Sequence, residues 1–507
     1  MRNDITRIIR NTIFLYIRML FLMFVSFFTS RIVLQNLGIT DFGIYNIVGG
    51  FTSMFVFFQS SLSNATLRFL SIELEKGNTS SAAMVFRQHQ CLYFLIAIIV
   101  LILSETIGLW FVSNKLVIPA DRITAAMWVY QFAILSCLLV ILNVVYDAAI
   151  IAHEDMKIYS CIGIFEGLAK LAIAYAITVA SSDKLITYAL LFFLLSLVTR
   201  LFYVWFCNKK YDECRYALSW RIKGIKEPFA IISWNTLGTF IYSLNDQGIN
   251  ILLNLFFGPA VNAARGIACQ ISLTINNFNT NLYTAVRPQI IKLYAEQKSA
   301  LLLRLFFQSS KYSFYLLWFI CLPVMLCINI ILKVWLGNVP EYTGIFTIWV
   351  LAYYLVNTLN APIWTVALAS GHLKWYILIG SSISLLAFPL SYICLKNGAE
   401  ATIVFQILFG VRAAYLATVL FMVRNYIVFS FKQYCLSVIV PIISVLAISG
   451  SISLLSNKML ETDITGRVTL CGICVLSVLL SVWTLGMTRR ERAYIMEYIP
   501  VLRKRIH

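Results

Sequence analysis

The chain has 507 residues, of which 60% are apolar, 14% aromatic and only 12% charged. A water-soluble domain needs roughly a quarter of its residues charged to cover its surface, so this composition excludes a soluble protein and makes lipid the main solvent. The net charge of +18 would suggest a nucleic-acid partner in a soluble chain; here its distribution makes it a topology signal, and no nucleic acid is implied.

A bilayer core requires about 20 apolar residues per helix. The opening MRNDITRIIR resembles the charged head of a signal peptide, but the following apolar run, 12–34, is longer than a typical h-region and precedes no A-x-A site, so it is predicted to be a retained first span. Apolar runs broken by Gly, Pro, Asn or charges then predict spans at 44–66, 89–112, 123–147, 158–180, 185–207, 229–256 and 261–284. Six more are predicted at 305–332, 343–369, 375–395, 400–422, 434–456 and 466–487. The expected fold is therefore an all-α polytopic membrane protein of about 14 transmembrane helices.

Of the 40 Lys and Arg residues, 27 fall on one side of this segmentation, including Lys209, Lys210, Arg304, Lys311, Arg489, Arg490 and Arg492, against eight on the other. Positive loops resist translocation, which predicts that both termini are cytoplasmic. The cysteines lie mostly in apolar runs as small hydrophobes. Cys471 and Cys474 form C-x-x-C within the last apolar run, without a second pair. No metal and no cofactor are predicted.

Three stretches recur at nearly one spacing. Asn46, Gly50, Ser53, Ser60, Asn64 and Arg68 are matched 219 residues on by Arg265, Cys269, Ser272, Asn279, Tyr283 and Arg287; Gly38 is matched by Gly258; and 152–159 resembles 369–376. A duplicated unit of six spans keeps its orientation, so it reads as a parallel repeat. The division expected is a first six-helix bundle with a cytoplasmic linker at 1–227, a second at 228–432, and helices 13 and 14 with a basic cytoplasmic tail at 433–507.

Polar residues inside spans name the candidate site. Span eight carries Asn262, Arg265, Cys269, Ser272, Asn276, Asn279 and Tyr283, and span seven carries Asn235, Thr239, Tyr242, Asp246 and Asn250. Steps of three and four keep each set on one helical face. Such faces either line a watery cavity or grip neighbouring helices; Asp246 and Arg265 must face protein or water in either case. Arg412 sits at mid-span with no local acid. Arg31 and Arg265 lie near the outer ends of their spans, Glu166 and Lys170 suit an i,i+4 pair, and Arg200 suits a snorkelling anchor. The chain holds no G-x-x-x-x-G-K-[ST] phosphate loop and no nucleophile beside a positioned base, so no enzymatic activity is predicted.

The run Arg31-Ile32-Val33-Leu34-Gln35-Asn36-Leu37-Gly38-Ile39-Thr40-Asp41-Phe42-Gly43-Ile44-Tyr45-Asn46 resembles the end of helix one and start of helix two in Wzx-type O-antigen flippases. That superfamily also includes the MATE exporters and the lipid II flippases, and the layout of two six-helix halves plus a final pair resembles this branch. The resemblance implies a MATE-like fold in the bacterial inner membrane and a polyprenyl-pyrophosphate-linked oligosaccharide moved outward by alternating access. It implies polysaccharide polymerase and assembly proteins as partners. It also implies that helices one, two, seven and eight border a central cavity; Arg31 and Arg265 lie in regions comparable to those where relatives receive pyrophosphate. The substrate-binding candidates are Arg31, Arg265, Arg412, Asn235, Asn250, Ser272, Asn276 and Asn279, and Asp246 is the candidate for ion coupling. The alternatives are a MATE-like cation-coupled drug antiporter and a membrane polysaccharide polymerase or ligase; the short outward loops weigh against the latter.

Overall fold

The computed structural model describes residues 2–53, 57–215, 226–371, 373–460, 463–493 and 496; the expected 216–225 portion of the linker and the tail from 497 lie outside them. Eighteen α-helical segments follow in order and, among the described residues, there is no strand: α1 (Arg2–Ser53), α2 (Phe57–Glu75), α3 (Thr79–Leu103), α4 (Leu109–Asn114), α5 (Ile123–Ala152), α6 (Met156–Ala176), α7 (Lys184–Lys210), α8 (Lys226–Phe257) and α9 (Pro259–Ala295), then α10 (Ser299–Leu336), α11 (Thr343–Thr358), α12 (Asn360–Ala369), α13 (Leu373–Leu385), α14 (Ala387–Lys396), α15 (Thr402–Val423), α16 (Phe431–Tyr434), α17 (Val440–Met459) and α18 (Ile464–Ser481). An all-helical chain is the expected answer to a lipid solvent, because a helix satisfies its backbone polar groups within one segment.

Eleven helical stretches among the described residues are long and apolar enough to cross a membrane. The three predicted spans outside that set are the ones with polar faces or a break. The second begins inside α1, beyond Gly38, and continues into α2, with 54–56 outside the described residues. The seventh and eighth are α8 and α9, 32 and 37 residues long, whose asparagines lower their apolarity rather than their helicity. The chain is a multi-pass membrane protein.

Left-handed backbone marks the turns. Gly38 has φ 78° and ψ 172°, a conformation that only glycine adopts freely, and it splits α1 into two helices. Gly258, 220 residues on, shares its φ of 78° and joins α8 to α9. The same spacing relates Gly77 (φ 70°) to Gln297 (φ 54°), and 217 residues relate Glu154 (φ 55°) to Gly371 (φ 75°). Three turns recurring in this register are what a duplicated helical unit produces, and they extend the match seen in the side chains.

The helices gather into two compact units. One comprises the residues up to Gly266 with Leu336–Glu341 and Ser391–Ala401; the other comprises Ile267–Trp335, Tyr342–Leu390 and the residues from Thr402 onward. The units thus divide within α9, and α16 to α18 fall in the second. The first is cored by Phe86, Tyr93, Val144, Tyr146 and Ile150, packed between α3, α5 and their neighbours. One corner of it is tied by Arg122, which donates to both carboxylate oxygens of Asp41 and to those of Asp183, joining the start of α5 to α1 and the cap of α7.

At the opposite ends of α5 and α7, the α5–α6 turn is clamped. The His153 ring lies 4.1 Å from that of Tyr211, nearly parallel to it, and donates to Glu213. Asp155 accepts from Lys210 at 2.6 Å and from the Tyr211 hydroxyl. Burial works to raise the Glu213 carboxyl, but the His153 hydrogen bond, a backbone hydrogen bond and the His153 charge together outweigh it and hold the group below its ordinary 4.5. Asp155 is likewise held low, with burial opposed by Lys210 and Tyr211.

Two outcomes follow from this packing. Gly38→Ala should lower stability by about 1–3 kcal/mol, while Gly49→Ala, where an added Cβ meets nothing within 4 Å, should leave it nearly unchanged; thermal unfolding in detergent compares them. Carboxylates whose folded pKa is depressed stabilise above the unfolded value and lose that contribution as pH falls through the folded one. The melting temperature should therefore drop on acidification below about pH 4.5, and Glu213→Gln should flatten that part of the profile; an unaltered profile would contradict the clamp.

Candidate functional site

The site begins with a reversal. At Gly258 the chain leaves α8 and re-enters as α9, so that the last turns of one helix face the first turns of the other. The second half of α1 lies close by, and a Cβ at Gly43 would fall on the Pro259 carbonyl. On α8, Asp246, Asn250 and Asn254 are spaced by four and share a face. On α9, Asn262 and Arg265 are spaced by three.

These residues bond to one another. The Asn262 amide donates to the Asn250 carbonyl at 2.7 Å and to its side-chain oxygen at 2.9 Å. Asn254 donates to the Asn262 side-chain oxygen at 3.1 Å and exchanges two hydrogen bonds with the backbone of Val117. Asn250 donates to the Asn46 carbonyl at 3.4 Å, linking α8 to α1. All three amides are buried. Arg265 closes the row: one guanidinium nitrogen donates to the Asp246 carboxylate at 2.6 Å and to its carbonyl at 2.9 Å. Gln247 donates to the other Asp246 oxygen at 3.2 Å.

The polar face therefore divides into two parts. Asn250, Asn254 and Asn262 grip helices together, as interhelical amides do where no water competes. The ion pair at the end of the row is different, because the Arg265 side chain is only 9% exposed while that of Asp246 is 42% exposed. The carboxylate opens outward with a guanidinium behind it. Chemically, this is an anion site occupied by the protein's own carboxylate, and a guanidinium suits a phosphate as well as a carboxylate.

The remaining candidates are dispersed. Ser272 is buried and donates to the Ala268 carbonyl; Asn276 is half-buried, and the side chains of Asn235 and Asn279 lie outside the described residues. Arg31 is exposed on α1. Arg412, in the second unit, donates to the Asn357 amide oxygen and lies 4.2 Å from the Tyr415 ring centre and 5.8 Å from that of Tyr353. Tyr415 in turn donates to Tyr376, and Tyr376 to Asn360. An arginine without a local acid thus takes an amide and two π faces in its place.

One expectation is corrected. Arg200 is not a snorkelling anchor: it turns into the first unit, donates to the Leu142 carbonyl at 2.7 Å and lies 4.5 Å from the Tyr146 ring centre. Lys311, within the predicted span 305–332, is buried and paired with Glu491 at 2.7 Å. Neither contact is local in sequence, the partners sitting 58 and 180 residues away. Glu166 is half-buried and feels the charges of both Lys170 and Arg18. Asn254 was missed, although it continues the four-residue step from Asp246 and Asn250.

No family model matches this chain, and no curated protein matches it by sequence. Solved structures match it in fold. A structure described as the inward-facing conformation of a multidrug resistance MATE family transporter of the MOP superfamily aligns with TM-score 0.67 and 12% identity, covering 80% of this chain and 94% of that one. The lipid II flippase MurJ, in an inward closed conformation, aligns with TM-score 0.64 and 12% identity, covering 93% of this chain and 98% of its own. A crystal structure of MATE in complex with MaL6 aligns with TM-score 0.59 and 13% identity over 82% and 96%. The chain has the fold shared by the MATE transporters and MurJ.

Replacing Asn262 by Ala removes three side-chain hydrogen bonds between helices. Single interhelical bonds in membranes average ~0.6 kcal/mol and reach ~1.7, so a loss of about 1–2 kcal/mol is expected in thermal or denaturant unfolding of the purified protein. An unaffected stability would show that the amide row does not hold α8 to α9.

Proposed function

We propose that the protein is a transporter that flips a polyprenyl-pyrophosphate-linked oligosaccharide from the cytoplasmic to the outer face of the bacterial inner membrane by alternating access, with both termini in the cytoplasm. The observation that carries this reading is the half-open Asp246–Arg265 pair, a nearly enclosed guanidinium with its counter-ion on the accessible side. An unpaired charge in the bilayer costs several kcal/mol or more, so a travelling pyrophosphate needs a cation waiting for it. Exchange of Asp246 for the pyrophosphate supplies that cation, and uptake of a proton or metal cation by the released Asp246 would link the step to an ion gradient. The amides beside the pair are committed to the fold, which leaves Arg265 as the residue with a role in recognition.

The duplicated turns and the basic excess at one membrane face support the same topology. A cation-coupled drug antiporter is the second reading, favoured by the number of multidrug transporters among the matching structures. Against it, the alignment with MurJ covers 93% of this chain, and those with the two MATE structures 80% and 82%. Among the span charges, cations outnumber acids, which fits an anionic cargo.

Deletion of the gene should cause lipid-linked glycan to accumulate at the cytoplasmic face. Complementation with Arg265→Ala should restore less than about a tenth of export at normal membrane abundance, a loss of at least ~1.4 kcal/mol in the transport step. Full export by the well-expressed variant would sink the role of Arg265, and lost dye efflux with normal glycan export would favour the antiporter.

A further inference from the structure

The second unit holds a pocket of about 540 Å³ at one end of three of its spans, lined among others by Arg304, Phe307 and Lys311 of α10, Leu436 just before α17 and Pro441 in its first turn, and Leu485, Arg490, Glu491 and Arg492 beyond α18. Its depth in the membrane follows from length. The α10 helix has 38 residues, about 57 Å at 1.5 Å per residue, against a hydrocarbon core of ~30 Å. Its first turns, carrying Arg304, therefore reach the headgroup layer. The last apolar span ends at Gly486 and another begins at Phe431, so all three elements present the same end.

Charge in the pocket is unbalanced. Glu491 is fully engaged: it accepts from Lys311 at 2.7 Å, from Gln308 at 2.9 Å and from the Thr488 backbone N–H at 2.8 Å. Lys311 and Glu491 neutralise each other, with side chains 4% and 8% exposed. Arg304, Arg490 and Arg492 remain, and among the described residues none of them forms an ion pair. Arg304 and Arg490 are exposed, and the buried Nε of Arg492 has no hydrogen-bond partner. Below this cationic rim, Leu436 and Leu485 are 58% and 40% exposed on spans whose outer faces meet lipid.

We propose that this pocket binds the phosphate headgroup of an anionic phospholipid, with Arg304, Arg490 and Arg492 taking the phosphate and the apolar flank formed by Leu436 and Leu485 taking the upper acyl chains. The volume falls within the roughly 300–1,000 Å³ of small-ligand sites, and basic pockets between spans at a cytoplasmic-type face suit anionic headgroups. Lys311 and Glu491 are the positioning pair: they fasten the segment after α18 to α10 and so hold Arg490 and Arg492 over the pocket. A bound lipid bridges three helix ends and stabilises the second unit. The site shares no residue with the Asp246–Arg265 pair, so its test is independent of the transport reading.

The full-length protein in neutral detergent is titrated with dioleoylphosphatidylglycerol or dioleoylphosphatidylcholine in mixed micelles, and thermal unfolding is recorded. The anionic lipid should raise Tm by several degrees at concentrations where the zwitterionic one does not. Arg304→Gln/Arg490→Gln, which alters only exposed side chains, should need about tenfold more of it. Arg68→Gln/Arg424→Gln, the same charge change at exposed positions elsewhere, should respond as the wild type does. Because each protein is scored by its own difference between the two lipids, a lower lipid-free Tm in a variant leaves the comparison intact. Equal effects of the two lipids, or an unchanged titration in the Arg304/Arg490 variant, would overturn the site. Inorganic phosphate at millimolar concentration reproducing the shift would overturn the lipid assignment in favour of a soluble anion.

Discussion

A guanidinium and a carboxylate 2.6 Å apart, Arg265 on α9 and Asp246 on α8, show the constraint on which the rest of this structure depends: in a lipid solvent, each charge must find its partner inside the protein. Leaving a charge unpaired within the bilayer costs several kcal/mol, which favours the two helices that carry this pair lying side by side. The left-handed Gly258 makes that reversal feasible, and the row formed by Asn250, Asn254 and Asn262 fixes its register. What distinguishes this pair from the buried Lys311–Glu491 pair is access. In the latter both partners are enclosed; in the former the carboxylate is nearly half exposed. An enclosed pair holds helices together, whereas a half-open one can exchange its anion.

The same constraint sorts the other cations. Arg122 collects two aspartates from separate helices. Arg200 takes a backbone carbonyl and a tyrosine ring, and Arg18 lies 4.3 Å from the Tyr159 ring centre. Arg412 takes Asn357 and two tyrosines. Where acids are scarce, aromatic faces and amides stand in for them, which is one physical use of a 14% aromatic content. At Arg412 the ring faces bring partial negative charge without a second ion to desolvate, whereas Arg18 also feels the Glu166 carboxylate and Arg200 that of Asp147.

Much of this fold was legible because a bilayer imposes a length and an apolarity that composition reports directly. The break at Gly38 and its counterpart at Gly258 were legible too, since glycine between apolar runs marks a turn. The candidate face on α8 and α9 was located by its spacing, but helical periodicity cannot separate a face that lines a cavity from one that binds a neighbour. Asn250 and Arg265 follow the same rule in sequence, yet one amide is committed to helix packing and the guanidinium stands behind an exposed carboxylate. Arg200 was misread for another reason: a charge near a span end looks like an anchor until its partner, distant in sequence, is seen. The pocket beside α18 was illegible for the same reason, since Arg304 and Arg490 come together only in three dimensions.

The most direct measurement of the central claim is a charge swap. The purified Asp246→Arg/Arg265→Asp protein, reconstituted into vesicles with a fluorescent polyprenyl-pyrophosphate-linked oligosaccharide, keeps the ion pair but exchanges which side of it is cationic. If Arg265 waits behind Asp246 to receive an anion, the swapped protein should fold with near wild-type stability and fail to move the lipid between leaflets. Transport at the wild-type rate would show that the pair serves only to join α8 to α9, and would contradict the account.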